Sequence, residues 1–230
     1  MRIVCISDTH TTRPVIPDGD LLICAGDLTF RGTIEEIAKE AKWLKAIRIS
    51  GGFKDAVVIG SNHDWLAERD PAMMRLLMEE AGWTYLDHQP AVVQGLRFFG
   101  SGYTPAFFNW ALNVPRGPKL AALWAQIPDD TQVLVTHGPP YGRLDWAKRS
   151  DGDPDSQVFS GPRDRHLTTH VGCNDLRNRI TGLKDLRLHV FGHIHKSGVE
   201  VGADGITYVN ASVCNGQYDA VYSPIVVDLP

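Results

Sequence analysis

Short apolar runs alternate with polar segments along the first third of the chain and predict strands joined by loops and a helix. Runs at residues 1–7, 21–25 and 56–59 have the length of strands. Residues 33–49, between the second and third runs, carry apolar positions at helical spacing. Because strands separated by a helix usually pair in parallel, this order predicts a parallel sheet.

The pattern changes after residue 84 to shorter apolar runs broken by glycine. Gly95 separates two such runs and predicts a hairpin. Runs at 133–136, 188–191 and 206–209 predict further strands, so we expect a second sheet that is at least partly antiparallel. Helical spacing also marks residues 71–81 and 119–127.

Residues 138–171 are rich in proline and aspartate and show no sustained periodicity, which predicts a long surface loop. Loops of this length are usually functional or disordered. This segment is equally well interpreted as a lid that faces a substrate or as a solvated insertion.

Composition and charge exclude several classes of protein. The chain has 230 residues, of which 43% are hydrophobic and 22% charged, as in ordinary globular proteins. The formal net charge of −4 does not provide the positive potential that would bind the phosphate backbone of a nucleic acid. No apolar run approaches the ~18 residues of a membrane span, and none resembles a signal peptide, so we expect a cytoplasmic protein with no membrane partner.

Four cysteines stand at positions without a C-x-x-C pair, and two of them lie inside apolar strand-like runs. We interpret Cys5, Cys24, Cys173 and Cys214 as reduced core residues.

Five polar clusters stand at or shortly after the carboxyl ends of strand-like runs, which is the edge where ligand sites assemble in open α/β sheets. Singly, each has an ordinary explanation: turn residues or helix caps for Asp8 and Asp27, and exposed strand residues for His193 and His195. Their shared position is what favours a common site. The clusters are Asp8-Thr9-His10, Gly26-Asp27, Asn62-His63-Asp64, His137-Gly138 and His193-Ile194-His195.

The candidate donors in these clusters are two aspartates, four histidines and an asparagine, with no thiolate. Imidazole mixed with carboxylate suits Mn, Fe, Zn, Co or Ni better than Ca or Mg. Seven donors exceed what one ion uses, whereas two ions about 3.5 to 4 Å apart with one bridging carboxylate fit the number. Such a pair stabilises the attacking and leaving oxygens of a phosphoryl displacement.

Taken in order, these clusters resemble the motifs of the calcineurin-like metallophosphoesterases, which run Asp-x-His, Gly-Asp, Gly-Asn-His-Asp/Glu, His-Gly and Gly-His-x-His. The resemblance extends over nearly the whole chain. Two further stretches look like the class III phosphodiesterase branch that contains the metallophosphoesterase-domain proteins: Thr136-His137-Gly138-Pro139-Pro140 and Tyr208-Val209-Asn210-Ala211-Ser212.

The resemblance implies an α/β (α+β) fold in which a four-layer αββα sandwich of two mixed sheets forms one domain over residues 1–230. It implies a catalytic role for His63, which would face the leaving group, together with Asn62 and Asp27. It also implies two divalent ions, with Mn expected first. The implied ligands are Asp8, His10 and His195 on one ion, Asn62, His137 and His193 on the other, and Asp27 as the bridge.

We therefore expect a metal-dependent phosphodiesterase that acts on a small phosphoester, nucleotide-like compounds included, through a hydroxide bound at the dinuclear centre. A phosphomonoesterase or pyrophosphatase on the same scaffold, and a non-catalytic metal-binding scaffold, are the alternatives. A homodimer is compatible with this sequence. Two departures from the family pattern are Ser61, where the family usually has glycine, and the length of the 138–171 segment.

Overall fold

The computed structural model describes residues 1–148 and 168–229, and its larger elements form two mixed sheets with helices outside them. In the first sheet the order is β15-β1-β2-β3-β4. Strands β1 to β3 pair in parallel, as the sequence predicts, and β15 joins β1 antiparallel. Strand β4, which the sequence pattern assigned to the second sheet, instead pairs in parallel with β3. These strands are β1 (Arg2–Ile6), β2 (Leu21–Cys24), β3 (Asp55–Val58), β4 (Thr84–Tyr85) and β15 (Ile225–Asp228).

The second sheet has the order β13-β14-β12-β9-β6-β5. Its four inner strands are parallel, and both edge strands are antiparallel to their neighbours. The hairpin between β5 and β6 turns at Gln94 and Gly95, both of which have positive φ, as the tight turn requires. These strands are β5 (Gln89–Val93), β6 (Leu96–Ser101), β9 (Val133–Thr136), β12 (Leu188–Phe191), β13 (Gly198–Val201) and β14 (Thr207–Asn210).

Three hydrophobic clusters fill the spaces between four layers. The first cluster lies between the first sheet and helices α1 (Ile34–Ser50) and α3 (Pro71–Glu80), with the short α2 (Leu66–Arg69) beside α3. The second cluster lies between the sheets, and the third between the second sheet and helices α4 (Pro118–Trp124) and α5 (Asn174–Ile180). The predicted αββα sandwich is therefore confirmed.

Strand β1 shows how the sequence produces this layering. Ile3 and Cys5 face the cluster between the sheets, and Val4 and Ile6 face the helices on the other side. Because side chains alternate along a strand, a strand buried on both faces has a continuous apolar sequence. All four cysteines are buried and unpaired, as predicted.

The 138–171 segment contains two short strands, β10 (Trp146–Lys148) and β11 (Thr168–His170), which pair antiparallel. Its central part, 149–167, lies outside the described residues, so the predicted long loop is described only at its ends. Two more short strands, β7 (Thr104–Pro105) and β8 (Asn113–Val114), enclose the loop 106–112, which reaches the site described next.

Candidate metal centre

The parallel strands of both sheets end at the same edge of the molecule, and there the structure brings the predicted donors together. The segments that follow β1, β2 and β3 carry Asp8, His10, Asp27 and Asn62, and those that follow β9 and β12 carry the other three histidines. Residues separated by more than 180 positions are in contact: His10 Nε2 lies 3.2 Å from His195 Nε2, and Asp8 Oδ1 lies 3.3 Å from the same atom.

The donors form two groups that share one carboxylate. Asp8, His10, Asp27 and His195 make one group, and Asp27, His137 and His193 make the other, with the ligand atoms of each within 4.8 Å of one another. Asp27 Oδ2 lies 3.7 Å from His10 Nε2 and 3.2 Å from His137 Nε2. One carboxylate oxygen therefore faces both groups.

The other oxygen of Asp27 is held by the protein. Oδ1 accepts hydrogen bonds from Ser61 Oγ at 2.6 Å and from the backbone N–H of His63 at 3.0 Å. The backbone N–H of Asp27 donates in turn to Ser61 Oγ in a short contact. These bonds fix the rotation of the carboxylate so that Oδ2 stays between the two groups.

Backbone carbonyls orient three of the histidines. The Nδ1–H groups of His10, His137 and His195 donate to Thr29 O at 3.0 Å, Ala25 O at 2.8 Å and Asn215 O at 2.9 Å. With Nδ1 protonated in this way, a neutral imidazole presents the lone pair of Nε2. The Nε2 atoms of His10 and His195 then face each other as two acceptors, an arrangement that a shared cation satisfies.

The charge balance of the site also fits a cation. Burial opposes ionisation of Asp8 and Asp27, but the neighbouring histidines outweigh it and hold the pKa of both carboxyls below their usual range. His137 and His193 lie 3.2 Å apart, between His137 Nε2 and His193 Nδ1. Burial lowers the pKa of His193 to about 3, whereas Asp27 outweighs burial at His137 and raises its pKa to about 9. Without an ion, the His137 and His193 pair therefore carries one positive charge, at a place where a metal ion would supply the charge instead.

Asn62 supplies an independent indication of a missing ligand. The residue is 1% exposed, and its side-chain Oδ1 has no hydrogen-bond partner among the described residues. A buried carbonyl oxygen without a partner costs free energy unless something else binds it. Asn62 lines the same cleft as Asp27, so a cation at the centre fits this oxygen.

Four of the candidate ligands have left-handed backbone conformations. The φ angles are 52° at Asp8, 40° at His10, 51° at Asp27 and 68° at His193. Such conformations are uncommon outside glycine and cluster at functional sites. The motif glycine Gly192 is required for a different reason: a Cβ there would stand 2.1 Å from Asp8 Oδ2.

Asp64 ties together two of the loops that carry donors. Its buried carboxylate accepts from the N–H groups of Leu28 and Thr29 at 3.3 and 3.1 Å, and from Thr29 Oγ1 at 2.9 Å. Burial, reinforced by the charge of Asp27, raises its pKa to about 6. Asp64 therefore connects the loop after β2 to the turn after β3.

His63 stands beside the donor groups, where the sequence places it. Its Nδ1 lies 3.0 Å from Phe30 O, and its ring centroid lies 4.8 Å from that of His10. With Nδ1–H donated to this carbonyl, Nε2 is the nitrogen left for a ligand. His63 and Asn62 both line a cleft of about 490 Å³ that opens to solvent above Asp27.

Aromatic walls flank this cleft, and sequence reasoning missed them. Phe107 packs edge-on to His193, Trp110 stacks on His63, and Tyr218 packs edge-on to His10 and His195. All three lie in irregular segments, where hydrophobic periodicity gives no signal. Ser212, whose Oγ donates to Asp8 Oδ2 at 2.7 Å, was likewise not identified as part of the site.

The comparisons with known proteins agree with this geometry. The family model for calcineurin-like phosphoesterases matches residues 1–197. The chain belongs to this family. Its members bind divalent metals and hydrolyse phosphoric esters, and the Asp and His groups at the strand ends are the candidate ligands for such ions.

Individual relatives confirm the narrower resemblance. Metallophosphoesterase domain-containing protein 1 from Homo sapiens and from Mus musculus is 37% identical over 253 aligned residues, which cover 100% of this chain and 71% of each relative. The Caenorhabditis elegans UPF0046 protein K07C11.7 is 33% identical, with 100% of this chain and 76% of that protein covered.

A solved crystal structure shares the fold of this calcineurin-like phosphoesterase. The two superpose with a TM-score of 0.58 at 16% identity, over 91% of this chain and 89% of the other. No helix in the described part of the chain is long and apolar enough to cross a membrane.

Proposed function

We propose that this calcineurin-like phosphoesterase is a phosphodiesterase with a two-ion centre that hydrolyses small phosphodiesters. One ion would be held by Asp8, His10 and His195, and the other by Asn62, His137 and His193. Asp27 would bridge them through Oδ2. The two-ion count is supported by the position of Asp27, which belongs to both donor groups and offers the same oxygen to each.

When bound, such ions polarise the phosphoryl oxygens and lower the pKa of water, with Mn as our first expectation and Fe, Zn, Co and Ni as alternatives. The chain's own contribution to bond breaking is His63. Its Nδ1 is occupied by Phe30 O, so Nε2 can carry a proton to the leaving oxygen. General acid catalysis of this kind contributes about 10²- to 10⁴-fold in rate.

The observation that favours a diester is the lining of the cleft, in which the described residues include no lysine or arginine. A monoester dianion carries one more negative charge than a diester monoanion and requires additional cations. Two arginines near the motifs are engaged elsewhere: Arg13 forms a bidentate pair with buried Glu40, and Arg143 pairs with Glu200 and Asp204.

Paired assays test this proposal. Protein reconstituted with Mn should bind two ions per chain and hydrolyse bis(p-nitrophenyl) phosphate with a higher kcat/KM than p-nitrophenyl phosphate, and chelation should abolish both activities. The Asp27→Ala variant controls for contaminating phosphatases. A preference for the monoester would show a phosphomonoesterase instead. Less than one ion per chain, with no response to added Mn, would show a scaffold protein.

A further inference from the structure

The imidazole of His63 packs against the indole of Trp110. Their ring centroids lie 4.1 Å apart at an interplanar angle of 34°, a tilted contact in which the two rings touch closely. His10 meets His63 edge-on, at 4.8 Å and 82°. Together with the hydrogen bond from Nδ1 to Phe30 O, these contacts restrict the rotation of the His63 ring.

The loop that carries Trp110 is attached to the turn that carries His63. The N–H of Ala111 donates to Asn62 O at 3.2 Å, and the N–H of Leu112 donates to Glu68 Oε2 at 2.7 Å. Ala111 is fully buried and Leu112 is 9% exposed. The two residues that follow Trp110 are therefore anchored in the fold, and they hold the indole in register with the histidine.

We propose that Trp110 is a positioning residue that keeps His63 Nε2 aimed into the cleft, towards the leaving oxygen of the phosphodiester. This inference rests on the proton-donor role of His63 in the proposed function. The P–O bond to the leaving oxygen breaks, and its electron pair stays on that oxygen. His63, with its Nδ1–H held by Phe30 O and a second proton on Nε2, passes the Nε2 proton to the same oxygen and becomes neutral. A water molecule supplies the new P–O bond, and the proton that it releases restores His63.

Substitution of Trp110 should affect poor leaving groups selectively, because only these need the proton. Misplacement of a catalytic group by about 1 Å costs on the order of 10²-fold in rate. For Trp110→Leu we expect kcat to fall about 10- to 100-fold on methyl phenyl phosphate, and less than about 3-fold on methyl p-nitrophenyl phosphate, with KM nearly unchanged. Trp110→Phe, which keeps an aromatic face, should recover most of the loss.

The chain offers a matched control in Trp146, which stacks on His170 with centroids 3.8 Å apart and is not among the residues that line the cleft. Trp146→Leu should leave both rates unchanged. In a His63→Ala background, Trp110→Leu should have no further effect on either substrate. An equal loss on both substrates, or an undiminished loss in the His63→Ala background, would overturn the positioning role.

An NMR measurement tests the stacking without turnover. In the zinc-loaded protein, the Hε1 resonance of His63, assigned by its loss in His63→Ala, should be shifted upfield by the indole ring current. It should move downfield in Trp110→Leu, and an unchanged resonance would contradict the inference. If His63→Ala itself reduces both rates equally, the proton-donor role is wrong. If His63→Ala is selective and Trp110→Leu is not, only the role of Trp110 is wrong.

Discussion

Replacement of Ser61 tests how strongly the bridging carboxylate is held. This serine stands where the family usually has glycine, and its fully buried hydroxyl donates to Asp27 Oδ1 at 2.6 Å. The Ser61→Ala variant removes that donor without the added backbone freedom of glycine. It also leaves the backbone N–H of Asp27 without its acceptor. The carboxylate would then be held only by the backbone N–H of His63, so Oδ2 would be less firmly fixed between the two donor groups.

The magnitude follows from the type of bond. A buried hydrogen bond to a charged group contributes about 1.5 to 3 kcal/mol, which corresponds to roughly 10- to 100-fold in a dissociation constant. That range also matches the effect usually seen when a residue that orients a metal ligand is replaced. We therefore expect metal affinity to fall by about 10- to 100-fold in Ser61→Ala.

Competition with a fluorescent chelator measures the affinity for each metal equivalent. Ser50→Ala is the matched control, because its hydroxyl bonds to Ile47 O at the exposed end of α1. At saturating Mn, Ser61→Ala should regain a kcat within about threefold of the parent, since no donor itself is lost. An affinity within twofold of the parent for both equivalents would refute the reasoning.

Three further predictions follow from the site and the core. Asp27→Ala should abolish both metal loading, measured by elemental analysis, and turnover, because Asp27 belongs to both donor groups. His63→Ala should retain its metal but lose about 10²- to 10⁴-fold in kcat on alkyl diesters, and full activity there would contradict its role. Burial lowers the pKa of His189 to about 3, below the ordinary value of 6.5. At acidic pH the imidazole of His189 therefore binds a proton in the unfolded chain but not in the folded chain. The contribution of His189 to the free energy of unfolding should therefore fall by up to about 1.4 kcal/mol per pH unit between pH 6.5 and about pH 3, and melting curves of His189→Leu should show a weaker acid dependence than those of the parent.

The sequence predicted the parts of the fold that depend on long apolar runs. Strands β1, β2, β3, β9 and β12 are buried along their whole length or nearly so, and each was recognised from a continuous hydrophobic stretch. Helix α5 was missed because it has seven residues and only two buried positions, Leu176 and Ile180. Its N-cap is Cys173, which is not among the usual capping residues.

The donors could be predicted because each stands next to the end of a buried strand, where chain direction alone decides which edge they share. The groups that orient these donors could not be predicted from the sequence. The Nδ1 atoms of the histidines bind backbone carbonyls, which every residue has, so no residue type marks them. Trp110 and Tyr218 reach the site through irregular loops whose course depends on packing between distant segments.

The left-handed backbone at four candidate ligands lowers the stability of the metal-free chain, although the metal centre depends on these residues. The four are Asp8, His10, Asp27 and His193. Each such residue costs about 1 to 3 kcal/mol, whereas glycine adopts the same conformation at little cost. Any selection that rewards thermal resistance alone, in metal-depleted medium, would therefore drive these positions towards glycine and erase the centre. Stabilised variants of this enzyme family are better sought with the ions present and hydrolysis as the criterion.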